Sequence, residues 1–343
     1  MIVWLEKGAD ASYVQRVLAD LGLWALRLDG PEGTVGFSVQ PWSRKVPLET
    51  LRGIEGVASV AAPASSHRLV DAATLPVEVA GVRIGGSRPV LMAGPCSVET
   101  PGQIEQVAGR LAARGVTFLR GGAFKPRSSP YAFQGHGEQA LAWLRRAADA
   151  HGLKVVTEAL SEASVPAVAE VADLIQVGSR NMHNSALLQA IARRGKAVLL
   201  KRGMAATVEE WLQAGEYLLF HGASAVVFCE RGIRSFDAST RNLLDLGAVA
   251  LLRHVHQLPV VVDPSHALGR RDLMPPLARA ALAAGAAGLL VEIHPSPGQA
   301  LSDGPQALRL DDFDALVDSL ETATPAIRTP PAPPAGRADR AGR

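Results

Sequence analysis

The stretch from Val90 to Arg120 reads VLMAGPCSVETPGQIEQVAGRLAARGVTFLR, and its pattern decides the fold. It opens with an apolar run from Val90 to Ala93, which predicts a buried strand. A helical pattern follows from Pro101 to Arg114, and a second apolar run from Thr117 to Arg120 ends the stretch. Strand, helix and strand in this order form one β/α unit.

The same alternation continues beyond this unit. Six further apolar runs are predicted as strands: Val155 to Thr157, Leu174 to Val177, Ala197 to Lys201, Ala225 to Cys229, Val260 to Val262 and Gly288 to Glu292. Helical patterns include Gly137 to His151, Glu162 to Ala172, Ser185 to Arg194, Val208 to His221, Leu273 to Ala284 and Asp311 to Glu321. Eight β/α units within residues 89–322 match the size of a closed (β/α)8 TIM barrel. A doubly wound open sheet is the alternative, but no Gly-rich dinucleotide motif follows the first strand, which favours the barrel.

Residues 1–64 follow a different pattern, which predicts a small α+β domain. Its strand, helix, strand, strand, helix and strand are Ile2 to Leu5, Asp10 to Leu21, Trp24 to Leu28, Thr34 to Val39, Pro47 to Arg52 and Val57 to Ala61. This βαββαβ order is ferredoxin-like. Residues 65–88 are predicted to connect the two domains, with a linker in the polar stretch Pro63 to Thr74 and a hairpin over Val77 to Ile84. The Pro-rich residues 323–343 lack a core-forming pattern and are expected to be disordered.

Composition restricts the class of protein. The chain has 343 residues, 48% hydrophobic and 20% charged, which is enough for one large and one small globular domain. A net charge of +2 gives no basic surface for nucleic acid or an anionic membrane. We expect no signal peptide and no membrane-spanning segment. Only two cysteines are present, Cys96 and Cys229, so we expect no disulfide framework and a reducing, cytoplasmic location.

The segment from Leu119 to Pro130 predicts an anion site. It carries Arg120, Lys125, Arg127 and Ser128, two adjacent glycines and no acid. Glycines let the backbone turn sharply and approach a ligand, while arginine and lysine bind carboxylate and phosphate groups. A solvated basic loop is the alternative interpretation, and the tight arrangement of glycines, prolines and charges disfavours it.

Further cations fall where predicted strands end. The four are Arg120, Arg180, Lys201 and Arg231. Because active sites of such barrels lie at the carboxyl ends of the strands, these side chains are expected on one face of the ring. For any single cation, a structural salt bridge with Glu158 or Glu230 is an equal alternative.

Potential metal ligands form a second group. They are Cys96 after the first strand, His266 after the seventh, Glu292 at the end of the eighth, and Asp303 beyond it. Strands seven, eight and one are neighbours in a closed barrel, so these residues are expected to converge on a site for Mn, Fe, Co or Zn. Taken alone, Cys96 could be a buried hydrophobe and His266 a helix cap. Cys229 is predicted to be core, and His294 to lie behind the ligands.

Six motifs carry a family resemblance: Ala93-Gly-Pro-Cys-Ser-Val-Glu99, Leu119-Arg-Gly-Gly-Ala-Phe-Lys-Pro-Arg-Ser128, Lys201-Arg-Gly, Asp263-Pro-Ser-His266, Val291-Glu-Ile-His-Pro295 and Leu301-Ser-Asp303. The chain resembles 3-deoxy-D-arabino-heptulosonate-7-phosphate synthases, most closely the microbial subtype with an N-terminal ferredoxin-like domain. The resemblance implies condensation of phosphoenolpyruvate with erythrose 4-phosphate, the first step of the shikimate pathway.

The resemblance also implies a role for each motif residue. Arg180, Lys201 and Arg231 would hold the phosphate of phosphoenolpyruvate, and Arg120 with Lys125 its carboxylate. Arg127 and Ser128, in a loop shaped by Pro126, would hold the phosphate of erythrose 4-phosphate. The ligands of one divalent metal would be Cys96, His266, Glu292 and Asp303, and Lys125 is the candidate proton donor. The N-terminal domain would bind tyrosine or phenylalanine for feedback regulation, and we expect a homo-oligomer, either a dimer or a tetramer.

Three alternatives remain for the activity, and one for the role of the N-terminal domain. The related 3-deoxy-D-manno-octulosonate-8-phosphate synthases use arabinose 5-phosphate and usually carry Lys-Ala-Asn-Arg where this chain has Lys125-Pro-Arg-Ser128. A Schiff-base aldolase could use Lys201, and a non-catalytic binding protein could retain the barrel. For the N-terminal domain, a role in dimerisation or solubility is the alternative to regulation.

Overall fold

The computed structural model describes residues 1–30, 33–40, 43–62, 65–73, 75–125 and 129–323. The N-terminal part is a four-stranded antiparallel sheet in the order β2-β3-β1-β4. Its elements are β1 (Ile2–Leu5), α1 (Ala11–Asp20), β2 (Ala25–Asp29), β3 (Val35–Val39), α2 (Leu48–Arg52) and β4 (Val57–Ala61). The predicted ferredoxin-like order of elements is confirmed.

Helix α1 illustrates why this part of the chain folds as predicted. The Asp10 side chain accepts hydrogen bonds from the amides of Ser12 and Tyr13, which caps the helix N-terminus. Val14 and Leu18, one turn apart, are fully buried against the sheet-side core. Local capping and apolar spacing therefore agree with the tertiary packing.

The connecting segment contains a helix that the linker prediction missed, α3 (Arg68–Ala72). Its Val70 is fully buried and packs near Gly215, while the amides of Leu69 and Val70 donate to the Glu216 carboxylate at 3.0 and 2.8 Å. Both partners lie almost 150 positions away in sequence, so a polar segment with few apolar residues carries no local signal for this helix. The predicted linker is therefore wrong at α3.

The predicted hairpin is present as β5 (Val77–Val79) and β6 (Val82–Ile84). Val79 and Ile84 are buried in the same cluster as inward-facing barrel residues such as Met92, Phe118 and Leu199. The hairpin therefore covers the amino-terminal end of the barrel and leaves its carboxyl-terminal end open.

Eight parallel strands close into a barrel, as predicted. They are β7 (Val90–Gly94), β8 (Phe118–Arg120), β9 (Lys154–Glu158), β10 (Leu174–Val177), β11 (Ala197–Lys201), β12 (Val226–Glu230), β13 (Val260–Val262) and β14 (Gly288–Glu292). β14 pairs with β7, which completes the ring. Apolar side chains fill the interior, and Cys229 is fully buried among them, which confirms its predicted place in the core.

The outer helices are α4 (Pro101–Ala113), α5 (Glu138–Ala150), α6 (Val165–Val171), α7 (Ser185–Ala192), α8 (Val208–Phe220), α9 (Leu246–Ala250), α10 (Pro264–Leu268), α11 (Met274–Ala283) and α12 (Leu310–Ala323). The predicted helix from Glu162 to Ala172 begins as a separate 3-10 turn, Glu162–Ser164, followed by α6 with a proline in its first turn. The sequence pattern does not single out the short helices α9 and α10.

No helix in the described ranges is both long and apolar enough to cross a lipid bilayer. Residues 324–343, which make up nearly all of the predicted disordered tail, lie outside the described residues.

Candidate active site

The four predicted metal ligands converge at the open end of the barrel. Cys96 follows β7, His266 lies in α10, Glu292 is the last residue of β14, and Asp303 lies in the loop beyond it. One ligand atom from each side chain lies within 4.8 Å of all the others. The Cys96 thiol donates to Asp303 Oδ2 at 3.0 Å, and His266 Nε2 lies 3.4 Å from Glu292 Oε1. One sulfur, one imidazole and two carboxylates fit a divalent transition metal.

Burial and charge shape the protonation of two of these ligands. Burial and the Glu292 charge raise the pKa of the Cys96 thiol to about 12. Burial opposes ionisation of Glu292, but the charges of His266 and Arg120 outweigh it and lower the pKa of Glu292 to about 2. Cys96 is therefore a thiol at neutral pH unless a bound cation displaces its proton.

A buried aspartate fixes the orientation of His266. His266 Nδ1 lies 2.7 Å from Asp263 Oδ2, which leaves Nε2 facing the other ligands. Burial lowers the pKa of His266 despite the opposing charges of Asp263 and Glu292, so the imidazole is neutral near pH 7, the form that binds metals. Asp263 Oδ2 also accepts a hydrogen bond from Lys201 Nζ at 2.6 Å. Asp263 thus links Lys201 to the four predicted metal ligands Cys96, His266, Glu292 and Asp303, which we call the ligand group.

A single cleft beside the ligand group contains the four predicted strand-end cations together with Lys125. Its lining includes Arg120, Lys125, Arg180, Lys201, Arg231, Arg241, His266 and Asp303. Arg120 donates to Glu292 Oε1 at 2.6 Å, so it is neutralised by a ligand residue. Arg231 is only 5% exposed, yet among the described residues no carboxylate oxygen lies within 4.0 Å of it. A buried guanidinium without a carboxylate partner indicates a site for an anionic ligand.

The alternative salt bridges to Glu158 and Glu230 are not formed by these four cations within the described part of the chain. Glu230 instead pairs with Arg202 at 3.1 Å and accepts the amide of Gly232 at 2.7 Å. Glu158 accepts a hydrogen bond from Gln176 at 2.9 Å. Glu230 therefore stabilises the barrel wall through Arg202 and Gly232, whereas Glu158 lines the cleft and is bound to Gln176.

Lys125 stands between the ligand group and the cleft. Its Nζ donates to the Cys96 sulfur and to the Cys96 carbonyl oxygen, both at 2.9 Å. Gly122 makes this approach possible, because a Cβ there would lie 2.6 Å from the same carbonyl oxygen. Pro126, Arg127 and Ser128 lie outside the described residues, so their predicted part in the anion site stays a prediction.

Several residues behind the ligands escaped the sequence analysis. Gln306 donates to Glu292 Oε2, and Arg241 lies 3.6 Å from Asp303 Oδ1. Neither stands in a recognisable pattern, so no sequence signal points to them. Asp263 stands in the Asp263-Pro-Ser-His266 motif directly after a predicted strand, so its position could have indicated a role beside His266. His294 lies 3.5 Å from Glu99 behind the ligand loops, where it was expected.

A second network joins the loops that carry Cys96 and Asp303. The neighbouring hydroxyls of Ser97 and Ser302 lie 2.7 Å apart, and Glu99 Oε1 accepts the amide of Leu301 at 2.9 Å. These contacts hold the loop after β7 against the loop after β14 and so keep the two ligands together.

Comparison with known proteins identifies relatives over almost the whole chain. A phospho-2-dehydro-3-deoxyheptonate aldolase from Thermotoga maritima is 43% identical over 95% of this chain and 98% of its own length. A 2-dehydro-3-deoxyphosphooctonate aldolase from Methylobacillus flagellatus is 33% identical over 71% of this chain and 94% of its own. The crystal structure of the Thermotoga maritima protein, described as a DAHP synthase, superposes with a TM-score of 0.74 at 41% identity, covering 95% of this chain and 97% of that one. A family profile, the DAHP synthetase I family, matches residues 67–329, and the chain belongs to that family.

Proposed function

We propose that the protein condenses phosphoenolpyruvate with erythrose 4-phosphate and water to give 3-deoxy-D-arabino-heptulosonate 7-phosphate and inorganic phosphate, the first step of the shikimate pathway. The observation that carries this proposal is Arg231, which is buried with no carboxylate oxygen within 4.0 Å in the described ranges and lies in a cationic cleft beside four candidate metal ligands. The Thermotoga maritima relative, at 43% identity, is named for the same product.

The cleft residues divide between the two ends of phosphoenolpyruvate. Arg180, Lys201 and Arg231 bind its phosphate, and Arg120 with Lys125 binds its carboxylate. All five side chains line one cleft, so the two anionic groups of one small molecule can be held at once. Fixed cations also offset the repulsion between two phosphorylated substrates as the reacting carbons approach.

The ligand group holds one divalent metal ion, which we assign to Mn, Fe, Co or Zn from its mixed donor set of Cys96, His266, Glu292 and Asp303. When bound, such an ion supplies a Lewis acid that polarises the aldehyde oxygen of the acceptor sugar. The protein orients the donors: Asp263 holds the His266 ring, and Arg120 stands against Glu292. Cys96 and His266 thus contribute to catalysis by binding the metal ion.

Lys125 supplies a proton or a fixed charge at the reacting carbonyl. As C3 of phosphoenolpyruvate bonds to the aldehyde carbon, the aldehyde oxygen becomes an alkoxide that Lys125 Nζ can protonate or stabilise. Water then adds to C2, and the C2–O bond to phosphate breaks, so that inorganic phosphate leaves beside Arg180, Lys201 and Arg231. Each atom of the two substrates and the water is found in the two products.

Choice of the acceptor sugar is assigned to Pro126, Arg127 and Ser128. Arg127 follows Lys125 by two positions, one fewer than the arginine in the Lys-Ala-Asn-Arg of the octulosonate-phosphate synthases, and this shorter sequence spacing supports a four-carbon aldose. The second candidate function uses arabinose 5-phosphate, and the similarity to octulosonate aldolases over 71% of this chain supports testing it.

One set of assays tests both candidates. The purified protein is incubated with phosphoenolpyruvate and either erythrose 4-phosphate or arabinose 5-phosphate, with and without a chelator, and inorganic phosphate is measured. We expect release with erythrose 4-phosphate that the chelator abolishes and Mn²⁺ restores. Preference for arabinose 5-phosphate would select the second candidate, whereas chelator-resistant activity with borohydride capture of substrate would indicate a Schiff base on Lys201.

We assign residues 1–64 to a regulatory domain, 65–88 to a connecting segment, 89–322 to the catalytic barrel and 323–343 to a C-terminal tail. The regulatory domain binds tyrosine or phenylalanine and so restricts the barrel mouth. The protein works in the cytoplasm as a homo-oligomer, a dimer or a tetramer, and gel filtration with light scattering gives its mass in solution.

A further inference from the structure

Arg241 contacts the ligand group without belonging to it. Its Nη1 donates to Gln306 Oε1 at 2.9 Å and lies 3.6 Å from Asp303 Oδ1. Gln306, only 2% exposed, continues the contact, because its Nε2 donates to Glu292 Oε2. A single half-exposed guanidinium therefore reaches two ligand carboxylates, one directly and one through a buried amide.

The position of Arg241 is set by the short helix α10 that carries a third ligand. The Arg241 amide donates to Leu268 O at 3.0 Å, and the next side chain, Asn242, donates to His266 O at 3.0 Å. Gly269, with φ of +69°, ends α10, and a Cβ there would lie 2.8 Å from Arg241 Cβ. Because Gly269 has no side chain, the end of α10 leaves room for the aliphatic part of Arg241. The hydrogen bonds from Arg241 and Asn242 hold the loop that contains them against α10.

The amide of Gln306 has a donor end and an acceptor end, so its orientation matters. Arg241 donates to Oε1, which turns Nε2 toward Glu292, whose other oxygen already accepts from Arg120 at 2.6 Å. Without Arg241, rotation of the amide could bring Oε1 against the carboxylate, and two acceptors would repel each other.

The conformation of Asp303 also depends on contacts with neighbouring side chains. Its φ of +51° lies in the left-handed region that residues other than glycine rarely adopt. The surrounding contacts must therefore hold the residue in place. Cys96 donates to Oδ2 at 3.0 Å, and Arg241 lies 3.6 Å from Oδ1, so both carboxylate oxygens are held by a contact.

We propose that Arg241 is a positioning residue of the metal site, which orients Asp303 directly and Glu292 through Gln306. This inference rests on the proposed metal site and adds a residue to it. Partners behind the ligands of a metal typically change its affinity by about 10-fold to 100-fold. Because Arg241 also lines the cleft, a direct role in binding a substrate phosphate is the competing explanation.

A positioning role of Arg241 can be distinguished from direct binding of a substrate phosphate by titration calorimetry. The full-length, metal-free protein is titrated with Mn²⁺ in the absence of substrates. Arg241→Ala should weaken Mn²⁺ binding by about 10-fold or more, with the Michaelis constants of both substrates unchanged at saturating Mn²⁺. Arg241→Lys keeps the positive charge but loses the planar guanidinium group that can donate two parallel hydrogen bonds. Its affinity for Mn²⁺ should therefore lie between those of the wild type and Arg241→Ala. The matched control is Arg270→Ala, an exposed arginine of the neighbouring depression, paired with Asp272 at 2.7 Å, which should leave Mn²⁺ affinity unchanged.

Gln306→Leu tests the indirect path. It should weaken Mn²⁺ binding, and the loss in the double variant with Arg241→Ala should be smaller than the combined losses of the two single variants. Thermal unfolding of each metal-free variant verifies that it is folded. If Arg241→Ala does not fold, the Mn²⁺ affinities of Arg241→Lys and Gln306→Leu are compared with that of the wild type instead. Unchanged Mn²⁺ affinity in these variants, or a raised Michaelis constant for a substrate with wild-type affinity for Mn²⁺, overturns the inference. Failure of the wild type to bind Mn²⁺, Fe²⁺, Co²⁺ or Zn²⁺ would instead overturn the metal site itself.

Discussion

At the scale of single residues, Arg231 differs from Arg120 and Lys201 in how its charge is balanced. Arg120 and Lys201 have carboxylate partners at 2.6 Å, whereas Arg231 is buried with none within 4.0 Å among the described residues. Burial lowers the pKa of Arg231, which reflects the cost of holding this charge away from water. The free protein thus carries a buried charge that is costly to hold, and we expect an anionic substrate to balance it.

Replacing Arg231 should therefore separate stability from binding. We expect Arg231→Met to leave unchanged or raise the midpoint of thermal unfolding without substrate, because a buried unpaired charge is removed. The same change should weaken binding of phosphoenolpyruvate by about 10-fold to 100-fold, since hydrogen bonds to charged groups are lost. Differential scanning fluorimetry with and without phosphoenolpyruvate measures both effects. Arg194→Met, an exposed arginine after α7, serves as the control, and a lower unfolding midpoint with undiminished binding would contradict the expectation.

Lys125 is a second single residue whose replacement we expect to have a large effect, in this case on the rate of turnover. Lys125→Ala should lower kcat by about 10²-fold to 10⁴-fold, because the proton or charge offered to the developing alkoxide is removed. Cys96 keeps its other contacts, so bound metal, measured by elemental analysis after desalting, should remain. Near-normal turnover in this variant would refute both the proton-donor and the electrostatic role.

At the scale of elements, two short helices are each capped by a carboxylate, which is local in sequence for α10 and distant for α3. Asp263 caps α10 by accepting the His266 amide at 3.0 Å, and the same carboxylate orients the His266 ring and holds Lys201. Helix α3 has no side-chain cap of its own and is instead capped by Glu216 of α8. A five-residue helix gains little from propensity, so packing must stabilise it.

The two neighbouring apolar residues of α3 offer a matched test. Val70→Ala should lower the free energy of unfolding by about 2 kcal/mol, because two buried methyl groups are removed beside α8. Leu69→Ala, at a position that is 42% exposed, should have a clearly smaller effect. Thermal or denaturant unfolding compares the two variants. Equal losses would show that α3 is not anchored through Val70.

At the scale of the whole molecule, the two ends of the barrel have different tasks. The hairpin of β5 and β6 covers the amino-terminal end, while the ligand group and the cationic cleft occupy the carboxyl-terminal end. The N-terminal sheet meets the connecting segment through the ion pair of Lys45 with Asp71, whose helix α3 is fastened to α8. The candidate site thus lies on the barrel, and the ion pair of Lys45 with Asp71 connects the N-terminal part to α3.

Deletion of residues 1–64 should therefore leave condensation activity in place, because α3, the hairpin and the barrel remain. Inhibition by tyrosine or phenylalanine should disappear in the same variant. Initial rates with and without each amino acid compare full-length and shortened protein. Inhibition that persists after the deletion would place the effector site elsewhere.

The amino-acid sequence by itself determined the barrel, the ferredoxin-like order and the candidate ligands. Strands such as β11 and β14 are continuous apolar runs bounded by helical patterns, so local periodicity is enough to find them. Cys96 and Glu292 could be grouped from the sequence alone, because a closed ring of strands brings the ends of the first and last together.

Only the tertiary structure decided which charges are balanced and which are not. Arg231 and Arg120 look alike in sequence, but only Arg120 meets a carboxylate among the described residues, 172 positions away. Helix α3 and the contact from Arg241 to Gln306 likewise join residues distant along the chain. Periodicity reports which face of an element is apolar, whereas the pairing of polar groups depends on the distances between side chains that folding brings together.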